Sequence, residues 1–138
     1  MTISVLVDSN IFLDLFHGGP ASGWSLDALV QAGSVSAIFV NPVIWSEISA
    51  RFATEADVNG ALVGLTVQKA PIPYEAAFMA GKAHAAYRRN GGQRERTLPD
   101  FLVGAHAFVA GHRLLTRDPK RYRAYFPNLE IIAPDTHP

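Results

Sequence analysis

Residues 3–10 read ISVLVDSN, a nearly continuous apolar run that ends in an aspartate. A run of this kind is typical of a strand that is buried on both faces of a parallel sheet. The three residues that follow it, Asp8, Ser9 and Asn10, are types that commonly cap helices. The stretch therefore predicts a buried strand that passes directly into a helix, with Asp8 at the junction.

The rest of the chain alternates between strand-like and helix-like patterns. Further strands are predicted over Val35–Val40, Thr66–Ala70, Arg113–Thr116 and Leu129–Ile132, and the clearest helices over Tyr74–Arg89 and Leu98–Ala110. No internal repeat, low-complexity tract or linker interrupts this order. The alternation predicts a three-layer α/β/α domain over residues 1–138, with a mainly parallel sheet of about four or five strands.

Composition excludes several classes of protein. The chain has 138 residues, 49% of them hydrophobic, which fits a compact globular domain rather than a disordered one. It contains no cysteine, so a disulfide framework and a thiolate zinc site are excluded. No signal peptide and no membrane-spanning stretch is recognisable, so we expect no membrane association and a cytoplasmic location.

The net charge of zero hides an uneven distribution. Residues 1–81 carry seven acidic and two basic side chains, whereas residues 82–123 carry ten basic and three acidic ones. A basic segment beside an acidic centre suits a nuclease, because cations hold the phosphate backbone and carboxylates hold a metal. Arg94, Arg96 and Arg117 are candidate contacts to a nucleic-acid backbone, although a solvated helix end and loop would give the same charge pattern.

Four acidic residues lie where a parallel sheet would bring them together. Asp8 and Asp118 follow strand-like runs, and Glu47 and Asp100 lie in the first turns of predicted helices. Strand C-termini and the helix N-termini that follow them share one edge of such a sheet, which is where ligands bind. Four converging carboxylates would repel one another unless a hard divalent cation joined them. The placement therefore predicts a Mg²⁺ or Mn²⁺ site and phosphoryl chemistry.

Each acid, taken singly, also has a purely structural interpretation. Asp8 and Asp118 are suited to starting helices, Asp100 to the first turn of one, and Glu47 to a helix surface. His106 follows Asp100 by six positions on one predicted helix, too far for the two to share a metal. We therefore expect His106 to have a core or interface role.

Four motifs in this order resemble the PIN-domain family, and within it the VapC-type toxins of toxin–antitoxin pairs. The motifs are VLVDSN at residues 5–10, NPVIWSE at 41–47, LPDFLVGAHA at 98–107 and LLTRDP at 114–119, followed by YRAYFPNLEIIAP at 122–134. The resemblance covers essentially the whole chain. Ser9 stands where many members have threonine, and both residues supply a hydroxyl.

The resemblance implies an α/β/α fold and a metal-dependent endoribonuclease that hydrolyses RNA with a metal-activated water. The acidic positions of the family correspond to Asp8, Glu47, Asp100 and Asp118. We expect Asp8, Asp100 and Asp118 to bind Mg²⁺ or Mn²⁺, directly or through water, and Glu47 to complete the pocket. Supporting hydroxyl and amide groups would come from three residues: Ser9, Asn10 and Thr116. A VapB-type antitoxin that places an arginine near the carboxylates, and a homodimer, are the implied partners.

Three alternatives remain at the level of sequence. One is a Mg²⁺-dependent phosphatase or DNase, although a phosphatase with a covalent aspartyl intermediate would want Asp rather than Asn10 two residues after Asp8. Another is a catalytically silent PIN-like module that binds nucleic acid or protein. The third is a regulator whose Ala-rich helix 74–89 and exposed aromatics serve only protein contacts.

Overall fold

A computed structural model describes residues 3–93 and 97–138 of the chain. Its strands are β1 (Ser4–Val7), β2 (Ala37–Val40), β3 (Val67–Lys69), β4 (Arg113–Leu115) and β5 (Ile131–Ile132). Its helices are α1 (Ser9–His17), α2 (Ser22–Val35), α3 (Pro42–Ser49), α4 (Glu55–Leu62), α5 (Tyr74–Arg89), α6 (Leu98–Ala110) and α7 (Lys120–Tyr125), with a 3₁₀ turn at Val63–Leu65. Helices α5 and α6 have the predicted bounds, whereas β5 is two residues shorter at its start than the sequence pattern indicates.

The sheet is parallel throughout, and its strands lie in the order β3-β2-β1-β4-β5. With the helices packed on both sides, this confirms the three-layer α/β/α architecture and the parallel sheet. The chain moves from β1 to β2 on one side and later returns to place β4 on the other side. The strand order therefore reverses between β1 and β4, and open α/β sheets bind ligands at the carboxyl ends of such strands.

The core explains why β1 is central. Val5, Leu6 and Val7 are fully buried, as expected for a strand covered by helices on both faces. Leu6 pairs with Phe39 of β2 on one side and with Leu114 of β4 on the other. Because β1 is fixed from both sides, the position of Asp8 directly after it is also fixed.

Helix α6 carries Asp100 and packs closely against α7. Gly104 allows this approach, because a Cβ at that position would lie 2.6 Å from the Phe126 ring and 3.0 Å from the Tyr122 ring. Such distances are shorter than carbon atoms tolerate, so a larger residue would push α7 away. The packing of these two helices therefore sets the distance between Asp100 and the residues of α7.

A buried amide and imidazole connect α3 to α6. The Asn41 side chain accepts a hydrogen bond from the Ile44 N–H (2.9 Å), which caps α3, and its Nδ2 lies 3.0 Å from Nδ1 of His106. Since Asn41 Nδ2 can only donate, His106 Nδ1 accepts and carries no proton. His106 is 1% exposed and belongs to the core, as the sequence predicts.

Candidate functional site

Asp8 lies at the junction of β1 and α1 and is held by hydrogen bonds on both carboxylate oxygens. Its Oδ1 accepts from the Ser9 N–H (2.8 Å), so Asp8 caps α1. Its Oδ2 accepts from the hydroxyls of Thr116 (2.9 Å) and Tyr122 (2.8 Å), and the Asn10 amide nitrogen lies 3.5 Å away. One oxygen of Asp8 therefore caps α1, while the other is bonded by side chains that come from far along the chain.

Burial governs the ionisation of Asp8. The carboxyl is 6% exposed, and this desolvation, aided by the nearby negative charge of Asp100, raises its pKa to about 6. The hydrogen bonds from Tyr122 and Thr116 oppose this rise in pKa. The protein therefore holds a carboxylate at neutral pH in a place where its negative charge is poorly solvated, which favours a cationic ligand.

The end of β4 supplies the support that the sequence analysis assigned to hydroxyl and amide groups. Thr116 accepts from the Asn10 amide (3.2 Å) and from the Asp118 N–H (3.2 Å) while it donates to Asp8. The Asn10 side chain in turn accepts from the Arg117 N–H (3.2 Å). These contacts join the ends of the two central strands and fix the backbone that carries Asp118.

Asp100 lies in the first turn of α6 and forms an ion pair with Arg121 of α7. The Asp100 side chain is 35% exposed and that of Arg121 is 19% exposed. The Arg121 guanidinium also lies over the Tyr87 ring, 5.6 Å from its centre. Arg121 is thus directed at the candidate site, although the sequence analysis did not single it out.

Glu47 approaches the site from α3. Its Oε1 accepts a hydrogen bond from the Ser9 hydroxyl (3.1 Å). Burial raises the pKa of Glu47, and the charges of Asp8 and Asp100 raise it further, against the effect of the Ser9 bond. Glu47 is not among the residues that line the cavity described next; its recorded interactions with the other predicted site residues are the Ser9 hydrogen bond and the charges of Asp8 and Asp100.

The acids border an open cavity of about 810 Å³ at the carboxyl ends of β1 and β4. Asp8, Asp100 and Asp118 lie on its wall with Ser9 and Asn10. The rest of its wall is mostly basic and aromatic, and consists of Tyr87, Lys120, Arg121, Tyr122, Tyr125 and the small Ala124. A negatively charged centre beside cationic and aromatic groups is suited to a metal ion together with a phosphate-bearing ligand.

The donor set fits a hydrated hard cation. The available ligands are carboxylate, hydroxyl and amide oxygens, which suit Mg²⁺ and Mn²⁺. Within residues 3–93 and 97–138, no three acidic or histidine side chains converge closely enough to enclose an ion by themselves. Mg²⁺ is usually bound through one or two carboxylates and keeps several waters, so a closed cage is not required.

Two predicted RNA contacts, Arg94 and Arg96, lie outside the described residues. Arg117, the third, donates from Nε to the Asp14 carboxylate (2.7 Å) and is absent from the cavity wall described above. Tyr122, to which the sequence analysis gives no role in the site, is 3% exposed and its hydroxyl bonds Asp8. Its position four residues after Asp118, on a short basic helix, is the only sequence signal that could have indicated this role.

Solved structures with the same fold support the assignment of the architecture. A Rickettsia felis VapBC2 structure bound to a promoter DNA fragment matches with a TM-score of 0.71 and 15% identity, over 95% of this chain and 98% of that one. A VapBC-1 structure from nontypeable Haemophilus influenzae matches with a TM-score of 0.71 and 16% identity, over 95% and 98%. A toxin–antitoxin complex from Klebsiella pneumoniae matches with a TM-score of 0.60 and 23% identity, over 94% and 96%.

The identities of these structures are low, so they show a shared fold. No curated protein sequence matches the chain. Within the described residues, no helix is both long and apolar enough to cross a bilayer.

A family model described as the PIN domain matches residues 5–127. PIN domains are generally nucleases. The match spans most of the chain and includes every carboxylate discussed above, and the chain therefore belongs to the PIN-domain family.

Proposed function

We propose that residues 1–138 act as a single-domain, metal-dependent endoribonuclease of the VapC type, the toxin of a type II toxin–antitoxin pair. The observation that carries this proposal is that Asp8, Asp100 and Asp118 line one cavity at the point where the strand order reverses. Membership of the PIN-domain family supports a nuclease. The similar solved structures, which are VapBC and other toxin–antitoxin complexes, support the narrower assignment to a toxin.

Asp8, Asp100 and Asp118 would hold Mg²⁺ or Mn²⁺, with Glu47 adding negative charge from the side of α3. When bound, the ion would polarise a phosphodiester, make a water more acidic and stabilise the leaving oxygen. Thr116 and Tyr122 keep the Asp8 carboxylate in one orientation, and Thr116 also holds the Asp118 backbone. A carboxylate held in this way pays little reorganisation cost when a ligand binds.

The basic and aromatic side of the cavity would receive the nucleic acid. Lys120 and Arg121 can contact phosphate oxygens, and Tyr125 and Tyr87 offer rings to an unpaired base. Arg117 remains a candidate phosphate contact from outside the cavity wall, but only if its ion pair with Asp14 opens. An RNA rather than a DNA substrate is proposed from the resemblance to VapC proteins.

A VapB-type antitoxin and a second copy of the chain are the proposed partners. The antitoxin complexes among the similar structures support the first. Helix α5 exposes two large aromatic side chains, Tyr74 (94% exposed) and Phe78 (70% exposed), which suit a protein contact. An antitoxin arginine that reaches the carboxylates would compete with the metal, so replacing that arginine should weaken inhibition. The predicted cytoplasmic location remains an expectation.

The first experiment is cleavage of total cellular RNA by the purified protein with Mg²⁺, Mn²⁺ or EDTA. Asp8→Asn should abolish cleavage, because it removes a charge at nearly constant volume. Asp57→Asn is the matched control, since Asp57 is an exposed acid on α4, far along the chain from the cavity residues. Discrete fragments that require both a divalent ion and Asp8 would support the proposal, and their mapped ends would identify the target.

Other outcomes would favour the alternative functions. Metal-dependent cleavage of DNA or of phosphomonoesters, without RNA cleavage, would indicate the DNase or phosphatase. Full RNA cleavage by a folded Asp8→Asn protein would contradict the site assignment. No hydrolysis of any of these substrates by folded, metal-supplied protein would favour the silent binding module.

A further inference from the structure

Arg121 places a permanent positive charge on one of the proposed metal-binding carboxylates. This inference rests on the proposed function. Arg121 is the second residue of α7, its side chain is 19% exposed, and its Nη1 donates to Oδ2 of Asp100. The guanidinium also lies over the Tyr87 ring, 5.6 Å from its centre. The side chain is therefore positioned by two contacts at the cavity wall rather than extended into solvent.

A divalent ion and Arg121 compete for the same group. Asp100 has two oxygens, and the pairing with Arg121 neutralises the charge that would attract a cation. A divalent ion bound through Oδ2 would displace Nη1, and one bound through Oδ1 would repel the guanidinium across the carboxylate.

A guanidinium released from Asp100 can bind a second kind of group in the cavity, the phosphate of a substrate. Arginine presents a planar fork of N–H donors that matches phosphate oxygens as well as carboxylates. Contact with the Tyr87 ring would keep the freed group at the cavity wall, beside the carboxylates. We propose that Arg121 has two positions: paired with Asp100 when no divalent ion is bound, and turned to a substrate phosphate when the ion occupies Asp100.

Two variants separate this exchange from a general effect of charge. Arg121→Gln removes the ion pair together with one positive charge. Lys120→Gln removes the same charge from the adjacent residue, which also lines the cavity but makes no ion pair with a described residue in this structure. The difference between the two variants therefore measures the direct contact with Asp100.

The proposal predicts effects of opposite sign on two ligands. In titration calorimetry without RNA, Arg121→Gln should bind Mn²⁺ about tenfold more tightly than the unmodified protein, and Lys120→Gln less than about threefold more tightly, because a close charge pair interacts more strongly than a distant one. For a fluorescent 12-nucleotide RNA pool with Ca²⁺ present, Arg121→Gln should bind about tenfold more weakly, and Lys120→Gln about threefold more weakly.

If Arg121 had only a structural role, Arg121→Gln would bind both Mn²⁺ and RNA more weakly than the unmodified protein. That result would overturn the proposal. Equal Mn²⁺ affinities for Arg121→Gln and Lys120→Gln would also overturn it, while metal-dependent RNA cleavage would leave the proposed function intact. Failure of both the unmodified protein and Arg121→Gln to bind Mn²⁺ would overturn the exchange together with the metal-dependent function. Arg121→Lys keeps the charge without the planar fork of donors, so its affinities for Mn²⁺ and RNA should lie between those of the unmodified protein and Arg121→Gln. Thermal unfolding checks that each variant is folded.

Discussion

The Tyr122 hydroxyl donates a 2.8 Å hydrogen bond to Oδ2 of Asp8, across 114 residues of sequence. Both side chains are buried, at 3% and 6% exposure. Burial and the nearby carboxylates raise the pKa of Tyr122 well above its ordinary value, so it remains a donor at any working pH. The bond ties the last helix of the domain to the carboxylate at the end of its central strand.

Tyr122→Phe should destabilise the metal-free protein by about 1.5–3 kcal/mol at pH 7.5, because it removes a hydrogen bond to a buried charge. The loss of stability should be smaller near pH 4, because Asp8 is protonated there and a neutral carboxyl is stabilised less by the Tyr122 hydrogen bond. Urea unfolding in EDTA at the two pH values measures both quantities. Tyr125→Phe is the control, since the Tyr125 hydroxyl makes no hydrogen bond to a residue within 3–93 or 97–138. An equal effect of the two changes would contradict the prediction.

Asp8→Asn should stabilise the metal-free protein at pH 7.5 while it abolishes cleavage. The folded pKa of Asp8, about 6, lies above its unfolded value, so the folded state holds the proton more tightly and stability falls as pH rises to about 6. An asparagine avoids this loss, which amounts to about 2–3 kcal/mol. Urea unfolding in EDTA should show the gain at pH 7.5 but not at pH 4, and Asp57→Asn should show neither.

Acid should destabilise the protein through His106. Burial, together with the neighbouring His112, lowers the pKa of His106 to about 4, so protonation favours the unfolded state. Stability is lost as pH falls from about 6.5 to about 4, by about 2–3 kcal/mol, as the bond from Asn41 breaks. Asp8 has the opposite slope over this range, so unfolding is best measured in Asp8→Asn. Adding His106→Gln should flatten that slope, and an unchanged slope would assign the acid sensitivity to another group.

Ser9→Ala should reduce RNA cleavage about three- to tenfold, far less than the loss caused by Asp8→Asn. The substitution removes the hydroxyl that holds Glu47 at 3.1 Å and raises the pKa of Glu47 further, but it leaves the acids of the cavity wall in place. Initial rates at saturating Mg²⁺ measure the effect. Ser9→Thr keeps the hydroxyl and should retain most activity; a loss as large as that of Ser9→Ala would show that the hydroxyl is not the important group.

Arg117→Gln should lower stability by about 1 kcal/mol and change RNA affinity less than twofold. Its guanidinium is paired at 2.7 Å with the largely buried Asp14, so the substitution leaves that carboxylate without its cation. Arg123→Gln, which breaks an exposed pair with Asp135, should change neither quantity measurably. A tenfold loss of RNA affinity in Arg117→Gln, with little change in stability, would instead support the predicted RNA contact.

The part of the site that follows from local sequence was predictable. The run before Asp8 specifies a buried strand, and Asn41 with Pro42 specifies the start of the helix that carries Glu47. A parallel sheet then requires these positions to share an edge. The acids could be grouped in this way without knowing any side-chain contact.

The roles of Tyr122 and Arg121 could not be read from the sequence. They depend on how closely α7 packs against α6, which Gly104 decides. The sequence shows Tyr122 in a short basic segment after Asp118 but does not say that its hydroxyl reaches Asp8. Lys120 and Arg121 are neighbours of like charge, and only the packing shows which of them reaches Asp100. Contacts of this kind depend on distances of a few tenths of an ångström, which no residue pattern encodes.

The long separation in sequence between Asp8 and its partners Thr116 and Tyr122 also bears on synthesis in the cell. A growing chain that ends before Thr116 lacks both hydroxyls that bond Asp8 and the Arg121 guanidinium that pairs with Asp100. Such a chain contains acids but not the arrangement that holds them. For the toxin proposed here, cleavage would begin only after the segment from Thr116 to Tyr122 has left the ribosome and folded against the rest of the domain, so an inhibitor would not need to act on shorter chains.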